Sequence, residues 1–466
     1  MTDQTVRPNS PAARDIAHYL HPYTNLSQHE QTGPHIVTKG KGIYVTDDQG
    51  REYIEGLAGL WCTAFGFGEE ELVNAAVQQM RELPYYHGFA GKSVNPAIDL
   101  AEKLKEIAPG DFSKVFFANS GSEANDTVVK MVWYYNNAIG RPEKKKFISR
   151  LRGYHGVTVV AGSLTGLPYA QADFDLPLPF VRHTMTPDYY TGAEPGESEE
   201  DFASRCAQAL EDLIIEEGPE TVAAFIAEPV MGAGGVIIPP KTYFEKIQAV
   251  LKKYDVLMVA DEVICGFGRT GNMWGSQTFG IEPDMISCAK ALSSAYLPIS
   301  AVFIKEPMYQ AFRQNSEKLG TFGHGYTYTA HPACAAVALR AQQLMEERNV
   351  LAHVRAAAPR FAERINGFAD HPLVGNTRAV GLIGAVELVA DKETKRKFDP
   401  SAKIGPLVQQ TVQEHGLIVR ALPGDIIGFC PPLIIEENEI DEMFDRFSRA
   451  MDDMTNQLRA SGQAAQ

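Results

Sequence analysis

Residues 283–300 read PDMISCAKALSSAYLPIS, and the stretch from Met285 to Lys290 decides how the chain is read. An apolar run, Met285–Ala289, ends on one lysine, Lys290, and passes into small residues. The nearest acidic residue, Asp284, lies before the run. Lysine is almost never fully buried unless paired. Either Lys290 snorkels to water, or it is held at the end of a buried strand for chemistry. Working outward, runs of the same kind recur: KVFFANS (114–120), KKFISRLRG (145–153), VAAFIAEPV (222–230), VLMVADEV (256–263) and ISAVFI (299–304). Segments with helical periodicity separate them. Short apolar runs alternating with helices predict an α/β fold, with a mostly parallel sheet flanked by helices.

The rest of the chain fits around that sheet. Residues 1–30 read as a polar arm with a short helix near 11–20, followed by strand-like pieces and a turn at Asp47–Gly50. ELVNAAVQQMREL (71–83) reads as a helix, and 187–200 as a loop. A long helix begins near residue 332, a second α/β pattern follows, and SGQAAQ (461–466) reads as frayed. The expected organisation is a large domain over 76–335, with a smaller α/β domain built from both chain ends, 1–75 and 336–466.

Composition bounds the function. The chain has 466 residues, 44% of them apolar and 22% charged, with a net charge of -15. That balance argues against nucleic acid and anionic membrane surfaces as partners. The six cysteines form no CxxC pair, so free thiols in a reducing compartment are expected rather than a disulfide framework or a zinc site. No apolar run reaches the roughly 18 residues of a membrane span, and no secretory leader is evident in the first residues. A cytoplasmic location is the expectation.

In open α/β sheets ligands bind beyond the carboxyl ends of the strands, so polar residues that end apolar runs are candidates. Four stand out. After FFA, Ser120-Gly121-Ser122 makes a tight turn before a helix expected to start at Glu123–Ala124. The backbone N–H groups of such a turn can take a phosphate, although Ser is also an ordinary N-cap. Asp261 ends VLMVAD, Glu228 ends VAAFIAE, and Lys290 ends MISCAK. A phosphate cradle, an acid and a lysine at the ends of one sheet are what pyridoxal 5'-phosphate (PLP) requires. The lysine forms a Schiff base with the cofactor aldehyde, and the acid holds a proton on the pyridine nitrogen. Burial would favour the neutral amine that attacks carbonyls.

The motifs SGSEAND, YHG, AEPVMGAGG, DEVICGFGRTG, AKALSSAYLP and GYTYTAHP stand in the order and spacing of a known family. With them the chain resembles the class III (ω-type) aminotransferases on the fold-type I PLP scaffold, from about Tyr23 to Met451. GLWCTAFGF, HGFAG and LIVRALPGDIIGFCPP resemble its amine:pyruvate branch. The resemblance implies that Lys290 is the Schiff-base lysine and proton shuttle and that Asp261 pairs with the pyridinium nitrogen. Ser120, Gly121 and Ser122 form the phosphate cradle. Tyr154 stacks on one ring face and Val263 on the other, and His155 lies at the cofactor as a structural group. Glu228 supports the polar network near Asp261, and Arg269 orders its loop. Thr327 reaches the cofactor phosphate of a neighbouring subunit, so the active site belongs to a homodimer, possibly a dimer of dimers.

For the substrate, the resemblance implies that Arg420 clamps the carboxylate of pyruvate or alanine and swings out for a plain amine. The alternative is a surface salt bridge with Asp425. Leu60 and Trp61, with Phe89 from the partner subunit, wall an apolar pocket, as does Tyr154. Ile264 stands where ornithine- and γ-aminobutyrate-type members carry Gln, and Ala90 replaces an aromatic, which implies a roomier pocket. The expected activity moves an amino group from a primary amine or ω-amino acid to a keto acid such as pyruvate. Taurine, β-alanine and diamine transamination remain open, as do mutase or decarboxylating chemistry on the same scaffold.

Overall fold

In the computed structural model, which describes residues 7–460, the arm opens with α1 (Pro11–His18) and α2 (Leu26–Thr32). Ser10 and Asn25 cap them, each side chain accepting an N–H of the first turn. Antiparallel β1 (Val37–Lys41), β2 (Tyr44–Asp47) and β3 (Glu52–Glu55) follow. Residues 461–466, expected to fray, lie outside the described residues.

The central sheet contains β4 (Lys114–Ala118), β5 (Lys146–Arg150), β6 (Val181–Thr184), β7 (Val222–Ala227), β8 (Leu257–Asp261), β9 (Met285–Cys288) and β10 (Ser300–Ile304). Its order is β4-β10-β9-β8-β7-β5-β6. The run β9-β8-β7-β5-β6 is parallel, and β10 alone runs against both its neighbours. Every residue of β7, β9 and β10 is buried, which explains why these strands read as continuous apolar runs without alternation. Each fully buried side chain of this kind, such as Phe225 or Ile286, contributes about 1.5–3 kcal/mol.

Beyond the sheet, α3 (Gly121–Ala138) follows β4 directly, and α4 (Pro332–Glu347) packs on helices 70–82 and 95–106. The last section holds β11 (Val374–Val380), β12 (Ile383–Leu388), β13 (Leu417–Ile418), β14 (Arg420–Leu422), β15 (Ile426–Phe429) and the helix α5 (Glu437–Ala460). β13 pairs in parallel with β3, so both ends of the chain share one sheet, while β11-β12-β15-β14 form another. Two local expectations are corrected. Within 187–200 a helical turn forms at Tyr189–Gly192 and a long helix already starts at Glu199, capped by Ser198. The helix expected from Glu123 begins at Gly121, because Ser120 takes the N-cap and accepts the N–H of Glu123 at 3.2 Å.

Candidate active site

The sheet aims its chemistry at one edge. The register pairs Asp261 with Ser287 and Ala260 with Ala227, so the strand ends that precede Glu228, Asp261 and Lys290 lie side by side. There they meet the N-terminus of α3. A cavity of about 180 Å³ is lined by Gly121, Ser122, Asn125, Tyr154, His155, Glu228, Asp261, Val263, Lys290 and Arg420. Tyr23, Leu60, Trp61, Gly156, Ala233, Ile264 and Ala289 complete its wall.

Asp261 is buried, and an unpaired carboxylate there would be costly. Three donors answer it. Asn125 Nδ2 donates to Oδ2 at 2.8 Å, His155 Nδ1 to the same oxygen at 2.8 Å, and the Val263 N–H to Oδ1 at 3.1 Å. Each hydrogen bond to a charged group of this kind contributes about 1.5–3 kcal/mol. Asn125 Nδ2 also donates to the His155 carbonyl at 2.7 Å, locking the two neighbours together. Asn125 Oδ1 and His155 Nε2 are buried without a protein partner. Sequence reading missed Asn125. It stands one turn into α3 and lines the cavity, a placement that only the folded chain shows.

Glu228 joins the niche indirectly. Its Oε1 accepts the Tyr154 N–H at 2.9 Å and its Oε2 the Gly232 N–H at 3.0 Å. Burial pushes its carboxyl up, with the nearby Asp261 charge adding to the shift. Behind it lies Arg150, buried, its Nη2 donating to the Glu228 carbonyl at 2.5 Å and its guanidinium over Tyr243 and Phe244. Glu262 next door is buried as well, and burial raises it to about 7. It accepts the N–H groups of Gly275 and Ser276, so it orders the loop after β8 rather than facing the cavity.

The cradle is shaped by two glycines. A Cβ on Gly121 would lie 3.2 Å from both Val263 methyls. Gly156 has φ +132, and a Cβ there would come within 2.5 Å of Ser122 Oγ. Ser122 Oγ accepts the Val157 N–H at 3.1 Å, fixing the 154–157 segment against the start of α3. At Gly121 the positive end of an 18-residue helix thus opens on the cavity without a Cβ of its own. A helix end that opens on a glycine, a buried acid with its donors in place, and orphaned polar atoms on Asn125 and His155 together fit a phosphorylated, ring-bearing cofactor such as PLP.

Lys290 sits two residues beyond β9 and opens a tight turn with φ +50, a conformation uncommon outside glycine. Lys290 is partly exposed, at the cavity wall. No protein group accepts a hydrogen bond from its Nζ among the described residues. Arg420 opens β14, and its guanidinium also has no ion pair there. Asp425, the alternative partner, instead accepts the Gly405 N–H at 2.7 Å. Burial raises the Tyr154 phenol well above its ordinary value, and the nearby Tyr23 hydroxyl adds to the rise. Tyr23, unsuspected from sequence, comes from the arm and itself has φ +50. Leu60 and Trp61 stand on a tight turn where Ala58, Gly59 and Trp61 all have positive φ. Arg269 donates from Nη1 to the carbonyls of Leu382 and Pro431 at 2.8 and 2.6 Å, tying the loop after β8 to the second sheet.

Three expected residues do not line this cavity. Ser120 is spent on its helix cap. Phe89 lies against Gly325, and the Thr327 carbonyl accepts the Tyr85 hydroxyl at 2.7 Å. Phe89, Tyr85 and Tyr328 leave large aromatic surfaces exposed.

Comparison with known proteins agrees with this geometry. A family model described as aminotransferase class-III matches residues 26–451. An omega transaminase from Pseudomonas jessenii, a thermostable 6-fold mutant, is 54% identical, with a TM-score of 0.95 over 96% of this chain and 99% of that one. The omega transaminase of the same organism solved in complex with PMP gives 54% identity and a TM-score of 0.95, over 96% of this chain and 98% of that one. Among curated proteins, gamma aminobutyrate transaminase 1, mitochondrial, of Solanum lycopersicum is 50% identical over 93% of this chain and 84% of its own length.

Proposed function

Since the chain belongs to the class III aminotransferases, which act through PLP, we propose that it moves the amino group of a primary amine or ω-amino acid to pyruvate, giving an aldehyde or ketone and alanine. The observation that carries this reading is the meeting in one cavity of the Lys290 amine and the Arg420 guanidinium, neither with an ion pair among the described residues. The first suits proton transfer and the second suits a carboxylate.

When bound, PLP supplies an aldehyde that takes up primary amines and a ring that accepts the electron pair left when the donor carbon loses its proton. The chain's own residues do the rest. The N-terminus of α3, with Gly121 and Ser122, binds the phosphate. Asp261, oriented by Asn125 and His155, would hold a proton at the ring nitrogen. Tyr154 and Val263, which line the cavity, would wall the ring. Lys290 Nζ, with no ion pair to restrain it, carries a proton from and to the donor carbon, a role that contributes about 10²–10⁴ in rate. Arg420 clamps the carboxylate of pyruvate bidentately and turns aside when the donor has none. Leu60 and Trp61 exclude water from the reacting carbon.

Phe89 and Thr327 are assigned to the cavity of a second copy of the chain, which makes the working unit a homodimer. The exposed aromatic surface around them supports that assignment. The six free cysteines favour a reducing compartment such as the cytosol. No helix among the described residues is long and apolar enough to cross a membrane.

A second reading has its own support. The curated relatives carry the name of γ-aminobutyrate transaminases, a donor type that Ile264 speaks against. γ-Aminobutyrate is an ω-amine with a carboxylate, and Arg420 could hold that carboxylate as it holds pyruvate's. The deciding experiment is a panel of amine donors, including γ-aminobutyrate and an aryl-alkyl amine, run against pyruvate and 2-oxoglutarate while the absorbance of the cofactor forms is followed. Turnover with pyruvate and the aryl-alkyl amine supports the first reading. Turnover confined to 2-oxoglutarate would sink it.

A further inference from the structure

The arm carries a cluster that amino transfer does not use. Asp15 belongs to α1, His29 to α2, and His21 to the segment 19–25 that joins them. Nε2 of His21 lies 2.8 Å from Asp15 Oδ1, and Nε2 of His29 lies 3.0 Å from the same atom. The two imidazoles sit with centroids 4.3 Å apart, and Tyr19 packs on His21 at 4.3 Å. The three side chains are only 22%, 10% and 19% exposed for His21, His29 and Asp15. No lysine or arginine pairs with Asp15 among the described residues. This is the one group of three or more His, Cys, Asp or Glu side chains there whose ligand atoms lie within 4.8 Å of one another.

Hydrogen bonding alone uses this arrangement poorly. Both imidazoles then carry their proton on Nε2 and share one oxygen, while the other carboxylate oxygen takes no bond among the described residues. Two imidazole nitrogens and a carboxylate oxygen facing a common point are a usual donor set for zinc-class ions, at about 2.0–2.2 Å each. Such an ion would replace two N–H donors with one centre and keep a fourth position for water.

We propose that Asp15, His21 and His29 form a three-ligand site for a divalent ion of the zinc class. The ion bridges α1 and α2 and closes the segment between them into a loop. That loop carries Tyr23, which lines the active-site cavity together with Tyr154. Metal binding therefore fixes the arm over the cavity mouth, at a distance from the cofactor cradle.

The test uses untagged holoenzyme, treated with a chelator and dialysed against micromolar Zn²⁺, with bound metal measured by elemental analysis. The expected result is about one Zn²⁺ per chain, lost in both Asp15→Asn and His29→Gln. Co²⁺ in place of Zn²⁺ should give the visible bands of a low-symmetry four-coordinate site in the parent alone. The cofactor absorbance of each variant shows that it remains folded and loaded. Uptake far below one per chain in the folded parent means a hydrogen-bonded clasp only, and overturns the site. Uptake undiminished in both variants places the metal elsewhere and overturns it equally.

Discussion

Asp261 and Arg420 face the same cavity from opposite circumstances. Asp261 is buried and answered by three donors, from Asn125, His155 and the Val263 backbone. Arg420 opens a short edge strand with no ion pair, beside tyrosines delivered by other elements. Lys290 resembles Arg420 in this respect, and the turn at 58–61 adds a run of left-handed backbone to the same side. The cofactor end is therefore preorganised around Asp261, with only Asn125 Oδ1 and His155 Nε2 left without a protein partner. The substrate end holds its charges unspent. Preorganisation suits a group that stays, because fixed dipoles need not reorient during reaction. Unspent charge suits groups that come and go, because each arrival is then matched by a new interaction and not by the loss of an old one.

Substitutions at each end should separate these behaviours. The largest effect is expected from Lys290→Ala, which should lower turnover by about 10²–10⁴-fold, the share assigned to positioned acid–base groups. Stopped-flow absorbance with amine donor would record it, and near-normal turnover would remove Lys290 from its role. Asp261→Asn should follow, with a loss of about 10²–10³-fold in kcat, the scale for removing one preorganised electrostatic partner. Cofactor should still bind through the cradle; a loss of binding with kcat intact in the loaded fraction would make Asp261 a purely structural residue.

Arg420→Ala tests the other end. KM for pyruvate should rise by about 10–100-fold, the scale of a lost charge-assisted pair, while the half-reaction with a donor lacking a carboxylate stays close to normal. Equal losses in both half-reactions would erase the contrast drawn above. Asn125→Ala should cost about 1–3 kcal/mol of stability by stranding Asp261 and the His155 carbonyl, read as a lower unfolding temperature of the cofactor-free protein.

The smallest effect concerns Glu55, which supports the strained turn behind the substrate wall. Its Oε1 accepts the Leu57 N–H at 2.9 Å, and burial raises its carboxyl from 4.5 to about 7. The folded chain thus keeps a proton that the unfolded chain releases from about pH 4.5 upward. Its contribution is complete below that pH and is lost as pH rises through about 7. Glu55→Gln should flatten this decline, visible as a gap in unfolding temperature between variant and parent that changes from pH 5 to pH 8. An unchanging gap would show that Glu55 does not titrate in that range.

Much of the cofactor end was legible along the chain. A polar residue closing an apolar run is anomalous by itself, and Asp261, Glu228 and Lys290 each carry that mark. Gly121 and Ser122 announce a helix start after a strand. Asn125, Tyr23 and the donor role of His155 gave no such sign. Asn125 lies inside a helix where Asn is commonplace, and Tyr23 lies in a polar arm far away in sequence. The family resemblance already sets Phe89 and Thr327 outside their own chain's cavity, whereas the exposed state of Phe89 follows only from the folded chain.

Local chemistry alone thus determined the alternation of buried strands and helices, and which strand ends bear an acid, a lysine or a phosphate-binding turn. Those features are local because hydrophobic period and capping act over a few residues. Only the tertiary structure decided which groups meet: that His155 and Asn125 share one oxygen of Asp261, that Asp425 leaves Arg420 unpaired, and that the arm brings Tyr23 to Tyr154. Such contacts join segments separated by up to several hundred residues, and side chains choose among possible partners by packing and register, which no short window of sequence contains.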